Sequence, residues 1–172
     1  MSKNKKMILS ALLITISIIL NRFISIKTEM LVISFTYIPI MLSALWLGYK
    51  YSTLVAVLSD LLGALLFPFG PYFSGFTVSA AISGLIYGLF LYNNGEEMSN
   101  KQLVIRLTIS SLINLIIVNI FITSFWIQML YGKAYLVVVA SRVVTQLVMI
   151  PIQVVTMYGL EKFSRPYVKK YL

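Results

Sequence analysis

Four polar side chains lie inside otherwise apolar stretches of the sequence: Asp60, Asn119, Arg142 and Gln146. A charged group in hydrocarbon costs at least about 2.5 kcal/mol, so such residues are kept for a partner, a pathway or a ligand. Asp60 and Arg142 lie at similar distances from one end of their helices, about 10 to 12 Å deep. Two interpretations stay open: they form a structural ion pair, or at least one of them contacts a ligand.

Aromatic and cationic residues gather in the loops near these polar groups. The segment from Phe67 to Phe73 is rich in aromatic residues and proline, and we expect it to act as a lid at a membrane surface. Tyr72 lies in this segment, Trp126 opens another loop and Arg22 opens a third. Aromatic faces together with cations suit a planar, anionic ligand. For any single ring, membership of an interfacial aromatic belt is the alternative.

Composition indicates an integral membrane protein built from helices. Hydrophobic residues make up 59% of the 172 residues and charged residues only 11%, which is too apolar for a soluble core of this size. Cysteine and histidine are both absent, which removes thiolate nucleophiles, the commonest metal ligand and the commonest general base. We therefore expect no enzyme activity, no catalytic residues, no metal and no cofactor.

Apolar runs of spanning length predict an all-α, six-transmembrane-helix bundle. The expected helices are roughly Met7 to Leu20, Met30 to Leu47, Tyr51 to Phe67, Ser74 to Tyr92, Leu103 to Phe125 and Ala134 to Leu160. Long soluble loops, linkers and internal repeats are not evident, so residues 1–172 are expected to form one domain. Ala80, Gly84 and Gly88 recur every four residues, a pattern typical of close helix packing in membranes.

Basic residues predict the orientation, because lysine and arginine accumulate on the cytoplasmic side of a membrane. With both termini cytoplasmic, most of the 14 basic residues fall inside. The inner set is Lys3, Lys5, Lys6, Lys50, Lys101, Arg106, Lys162, Arg165, Lys169 and Lys170. A nucleic-acid partner has little support, because the basic residues straddle the lipid bilayer. Phosphate-binding motifs of the G-x-x-x-x-G-K-[ST] type are absent, so active transport needs a partner that supplies energy.

Three features resemble a known family: the NRFISIKT segment after the first helix, the stretch from Asp60 to Gly88, and the six-helix plan. Together they resemble the substrate-binding S components of energy-coupling factor (ECF) vitamin transporters, most closely the folate-specific branch. The likeness spans nearly the whole chain and is strongest over residues 20–92. It implies a multi-pass protein of the bacterial plasma membrane. Such a subunit captures its vitamin outside and delivers it inside after joining one coupling membrane protein and two ATPase subunits.

The resemblance also implies which residues meet ligand and partner. The family's small-x-x-x-small contact with the coupling protein falls on Ala11 and Thr15, where threonine replaces the usual alanine. The folate pocket, formed by outer loops and outer helix halves, is expected to include Arg22, Asp60, Phe69, Tyr72, Phe73, Asn119, Trp126, Arg142 and Gln146. Stacking on aromatic rings suits the pterin of folate, and outer cations suit its glutamate.

Two alternatives remain at this point. One is an S component for another vitamin, such as riboflavin; cationic thiamine gains nothing from a positive rim. The other is a structural membrane scaffold that binds no small molecule. A scaffold has little reason to hold several polar residues inside the membrane near one opening.

Overall fold

The computed structural model describes residues 2–27, 32–68, 70, 72–93 and 98–171. The helices are α1 (Lys3–Arg22), α2 (Tyr37–Leu47), α3 (Tyr49–Leu66), α4 (Ser74–Leu91), α5 (Asn100–Asn114), a π-helical stretch (Leu115–Thr123, the π segment), α6 (Ser124–Tyr131) and α7 (Tyr135–Tyr171). Two short strands, β1 (Ile26–Lys27) and β2 (Val32–Ile33), pair antiparallel between α1 and α2. The expected helical membrane bundle is confirmed.

Within the described residues, five helices are long and apolar enough to cross a bilayer. They are Lys3–Arg22, Tyr49–Leu66, Ser74–Leu91, Asn100–Tyr131 and Tyr135–Tyr167. The fourth of these is continuous through α5, the π segment and α6, so it extends beyond the predicted end at Phe125. A capping box between Ser99 and Gln102 fixes its start.

The predicted second span was wrong at its start. The helix begins at Tyr37 rather than Met30, which lies outside the described residues, and it has 11 residues. At about 1.5 Å per residue, α2 covers roughly half of a 30 Å hydrocarbon core. Pro39 explains the late start, because proline is tolerated in the first turn of a helix but would interrupt a helix that began at Met30.

The last helix is longer than predicted. It runs through Pro151 and Pro166 to Tyr171, whereas the apolar run ends near Leu160. Arg165 explains the extension. It forms an ion pair at 2.9 Å with Glu161, one turn earlier on the same helix, and it donates to the Met98 carbonyl at 3.3 Å. The polar end of α7 is thus tied to the start of α5.

The glycines of α4 make the tightest helix contact, as the sequence predicts. A Cβ on Gly84 would lie 2.6 Å from the Ser52 carbonyl oxygen of α3, and one on Gly88 would lie 2.2 Å from the Tyr49 Cα. The Ser52 hydroxyl donates to the Gly84 carbonyl at 2.7 Å. Close approach of α3 and α4 therefore requires glycine at these positions.

Successive helices alternate in direction, which separates the bundle into two ends. At one end, Lys6 lies over the Tyr51 ring and Arg165 reaches Met98, so the start of α1 and the end of α7 lie near the α2–α3 and α4–α5 connections. Much of the buried apolar core lies toward that end, including Leu91 and Leu103. We call the opposite end, formed by the last turns of α1 and α3, the start of α4 and the α6–α7 turn, the site end.

Candidate functional site

A hydrogen-bonded chain at the site end starts from Asp60 of α3. The Thr77 hydroxyl of α4 donates to Asp60 Oδ2 at 2.7 Å, and the Tyr72 hydroxyl lies 2.9 Å from Thr77 Oγ1. The guanidinium of Arg22, the last residue of α1, packs against Gly63 one turn after Asp60 and interacts electrostatically with Asp60. Residues of α1 and α4 thus interact with one carboxylate, and Tyr72 is joined to it through Thr77.

A second polar strip follows the π segment. The Asn119 amide lies 3.4 Å from the Asn114 carbonyl, and Ser124 Oγ donates to the Asn119 carbonyl at 2.8 Å. Because π-helical backbone hydrogen bonds join residues five apart, this winding aligns residues 114, 119 and 124 along one face. Arg142 of α7 donates from Nη1 to Asn119 Oδ1 at 3.0 Å.

Hydroxyl groups of α4 connect this strip to the rest of the bundle. Thr123 lies 3.3 Å from Ser79 Oγ, and Ser83 Oγ lies 3.4 Å from Asn114 Oδ1. Thr77 faces α3, whereas Ser79 contacts Thr123 of the π segment and Ser83 contacts Asn114, the last residue of α5. The helix α4 therefore carries polar contacts on two sides.

Aromatic rings cover the strip at the site end. Phe73 packs edge-on against Trp126 with ring centroids 5.5 Å apart, and Phe76 and Phe125 extend the cluster. Gly75 lies directly beneath, because a Cβ there would come 2.9 Å from the Trp126 ring. The combination is an aromatic layer above a hydrogen-bonding strip.

Three buried hydrogen-bond donors in this region lack acceptors in the part of the chain that the structure describes. They are Arg142 Nε, Asn114 Nδ2 and Trp126 Nε1. Unpaired buried donors cost about 1 to 3 kcal/mol each, so a ligand that supplies acceptors would relieve that cost. The described residues contain no cluster of three or more histidine, cysteine, aspartate or glutamate side chains that would hold a metal.

The structural ion pair between Asp60 and Arg142, one of the two interpretations that the sequence left open, is not formed. Both residues are described, and they form no ion pair: Arg142 binds Asn119, while Asp60 interacts with Thr77 and Arg22. The helix arrangement gives the reason, because α3 packs mainly on α1, α2 and α4, whereas α7 packs on α2, α5, α6 and the π segment. Asp60 and Arg142 were expected at similar depths in the membrane, but they lie on helices that are not neighbours.

The other sequence-predicted residues are distributed as follows. Tyr72, Phe73 and Trp126 lie at the site end, and half-buried Gln146 lies one turn beyond Arg142 on α7. Phe69 lies outside the described residues. Ala11 and Thr15 are exposed on α1, and the Thr15 hydroxyl donates to the Ala11 carbonyl at 3.0 Å.

Sequence reasoning missed three polar residues of the site: Thr77, Ser124 and Tyr135. The Tyr135 hydroxyl donates to the Ile120 carbonyl at 3.0 Å. Ile120 lies in the π segment, where the backbone hydrogen bonds depart from the α-helical pattern. Asn114, Asn119 and Ser124 recur every five residues in an apolar background, a signal that would have indicated the π segment. The signal for Thr77 is a polar residue inside the apolar stretch of α4, the same signal that identified Asp60 on α3.

A family model for "ECF transporter, substrate-specific component" matches residues 5–161. The chain belongs to this family. This ECF component is a multi-pass membrane protein of the bacterial plasma membrane, and because its family consists of substrate-binding transporter subunits, the expectation that it is not an enzyme is confirmed.

Relatives of this ECF component are named for one vitamin. The folate transporter FolT of Clostridium novyi is 37% identical over 162 residues, covering 94% of this chain and 91% of the relative. FolT of Leuconostoc mesenteroides is 33% identical, covering 91% and 84%. A crystal structure of FolT bound with folic acid has a TM-score of 0.80 and 32% identity, covering 91% of this chain and 92% of that one.

Proposed function

We propose that this chain is the folate-binding subunit of an ECF transporter, which captures folate outside the cell and delivers it inside when coupled to an ATPase module. The observation that carries this proposal is the fold shared with FolT bound to folic acid, at a TM-score of 0.80 and 32% identity over nearly the full length of both chains. The family resemblance in the sequence points to the same vitamin.

The chemistry of the site end supports a folate ligand. The flat pterin ring presents acceptors and donors along one edge, and the strip offers the buried donors of Arg142, Asn114 and Trp126. The aromatic layer around Phe73 and Trp126 supplies surfaces on which a flat ring stacks. The glutamate of folate carries two carboxylates, which favour cations such as Arg22 at the rim.

The proposed folate site keeps the residues that the sequence predicted. They are Arg22, Asp60, Phe69, Tyr72, Phe73, Asn119, Trp126, Arg142 and Gln146. We assign direct contact first to Arg142, which Asn119 orients, because the Asp60 carboxylate already accepts from Thr77. The whole chain acts as one membrane domain with the site end outside and both termini in the cytoplasm, as the basic residues favour.

Coupling to the ATPase module is assigned to the exposed face of α1. Ala11 and Thr15 are both exposed there, one turn apart, as a flat helix contact requires. Since the Thr15 hydroxyl folds back onto the Ala11 carbonyl, its polar group is satisfied and does not obstruct an approaching apolar helix. This contact would join the coupling membrane protein, which in this family is bound to two ATPases.

An uptake experiment with Ala11→Trp tests the two halves of this function separately. In cells that supply the coupling module, the wild type should import radiolabelled folate and Ala11→Trp should not, because the ring blocks a close helix contact. Purified Ala11→Trp should still bind folate like the wild type, since α1 residue 11 lies far from the site end.

The matched control is Val155→Trp, which places the same ring on α7 at a residue that is 70% exposed. It should import folate at the wild-type rate. Normal import by Ala11→Trp at normal expression would show that this face of α1 does not meet the coupling protein. Absence of folate import by the wild type would reject the transport function itself.

A further inference from the structure

The backbone carbonyl of Ile120, inside the π segment, accepts a hydrogen bond from another helix. In an α-helix this carbonyl would accept from the backbone N–H four residues later, which is that of Ser124. The Ser124 N–H donates instead to the carbonyls of Asn119 and Phe121. The Tyr135 hydroxyl, at the start of α7, donates to the Ile120 carbonyl at 3.0 Å. A side chain of α7 therefore takes the place of the missing α-helical donor.

The carbonyl of Asn119 shows the other half of this exchange. It accepts from the Ser124 N–H, five residues later, and also from Ser124 Oγ at 2.8 Å. This five-residue bond is the π winding that places Asn119 and Ser124 on one face. A carbonyl without a donor is costly in hydrocarbon. Without the Tyr135 hydroxyl, the Ser124 N–H would therefore return to the Ile120 carbonyl, and the turn would rewind as an α-helix.

Rewinding would move the residue that orients Arg142. Asn119 Oδ1 accepts from Arg142 Nη1 at 3.0 Å. A change of one residue in the winding turns a side chain by about 100° around the helix axis, which takes Asn119 away from α7. The geometry points to Tyr135 as a positioning residue: by donating to the Ile120 carbonyl, it holds the π winding that keeps Asn119 and Arg142 in place for the ligand. This inference rests on the proposed function and adds a residue that sets folate affinity from outside the proposed folate site.

Equilibrium binding of folate to Tyr135→Phe tests the first step. The substitution keeps the ring and removes the hydroxyl, so affinity should fall about three- to tenfold, as the loss of one hydrogen bond predicts. Tyr131→Phe is the matched control, because Tyr131 is exposed at the same end of the bundle and its hydroxyl makes no hydrogen bond with another described residue. It should bind folate like the wild type. Wild-type affinity in Tyr135→Phe would overturn the proposal.

A double-mutant cycle tests whether Tyr135 acts through Arg142. In an Arg142→Gln background, Tyr135→Phe should weaken folate binding no further, since the side chain that it positions is gone. General destabilisation by Tyr135→Phe would instead lower affinity by the same factor in both backgrounds. Losses that multiply in this way would overturn the proposal.

Deletion of the exposed residue Phe121 tests the winding itself. The deletion puts Ser124 four residues after Asn119, so the Ser124 N–H reaches the Asn119 carbonyl through an ordinary α-helical bond. The N–H of the residue that follows then serves the Ile120 carbonyl, and the Tyr135 hydroxyl is no longer needed. In the protein that lacks Phe121, Tyr135→Phe should therefore cost no folate affinity. A loss as large as that in the full chain would overturn the proposal.

A distance across the π segment provides a readout that needs no ligand. The chain has no cysteine, so spin labels on Leu112→Cys of α5 and Met129→Cys of α6, both exposed, flank the segment. Their distance should shift in Tyr135→Phe, because π and α windings advance differently per residue, and stay unchanged in Tyr131→Phe. An unchanged distance in Tyr135→Phe overturns the proposal. If the wild type binds no folate, the proposed function fails, and the label distance still decides whether Tyr135 holds the π winding.

Discussion

Arg142 holds the most informative position among the individual residues. One of its nitrogen atoms donates to Asn119, while its buried Nε has no acceptor in the described part of the chain. A guanidinium is planar and presents several donors in fixed directions, so Asn119 orients it and leaves further donors for a ligand. In the proposed site, Asn119 therefore orients Arg142, and Arg142 is the residue that we expect to contact the ligand.

Replacing Arg142 by glutamine should lower folate affinity about 10- to 100-fold, because a hydrogen bond from a charged donor is worth about 1.5 to 3 kcal/mol. Equilibrium binding of folate to the purified variant measures this loss. Arg106→Gln is the matched control, since Arg106 is another half-buried arginine that donates to a carbonyl, that of Tyr92, toward the other end of the bundle. Equal affinity losses in both variants would remove Arg142 from the site.

The sequence identifies such residues but not their partners. Asn119 and Arg142 stand out because polar groups in apolar helices are costly, and both lie in the strip as expected. Their pairing with each other was not predicted. The position of a residue along its helix indicates its depth in the membrane, but it does not indicate which helices are neighbours. In an α-helix, residues 114 and 119 would point about 140° apart, and only the π winding brings them into line.

At the scale of elements, apolar run length predicts helices well and their ends less well. The run from Tyr51 to Phe67 corresponds to Tyr49–Leu66, and the run from Ser74 to Tyr92 corresponds to Ser74–Leu91. The predicted start of α2 was wrong because the apolar run continues through β2, and a count of apolar residues cannot distinguish a strand from a helix. Pro39 carried the information about the start of the helix. The predicted end of α7 was wrong because the helix is extended by an ion pair and not by apolar residues.

The α3–α4 contact should be sensitive to a single methyl group. Gly84→Ala should destabilise the protein by about 1 to 3 kcal/mol, because the added Cβ meets backbone that cannot move aside. It should also weaken folate binding, since the same two helices carry Asp60 and Thr77. Thermal unfolding in detergent measures the first effect and folate titration the second.

Gly159→Ala is the control for this substitution, because a Cβ at Gly159 of α7 meets nothing within 4 Å. Alanine is favoured over glycine in a helix by about 0.5 to 1 kcal/mol, so this variant should be neutral or slightly more stable. A Gly84→Ala protein as stable as Gly159→Ala would mean that α3 and α4 are not in close contact.

At the scale of the whole molecule, the proposed ligand and partner surfaces lie apart. The site end gathers the polar strip and the aromatic layer, while the exposed face of α1 carries Ala11 and Thr15. The apolar core toward the opposite end holds α2, α4, α5 and α7 together. Because the proposed ligand and partner surfaces are separate, we expect the isolated chain to capture folate without the coupling module and to transport it only with that module.

A tryptophan-fluorescence titration of the isolated chain tests this account most directly. The protein has two tryptophans, so Trp46→Phe leaves Trp126 as the reporter inside the aromatic layer. With no coupling protein or ATPase present, folic acid should change the Trp126 emission saturably at about one folate per chain, while riboflavin and thiamine should not. Free N-acetyltryptophanamide corrects for light absorbed by the vitamins. Saturation by riboflavin or thiamine, with none by folic acid or its reduced forms, would contradict the account.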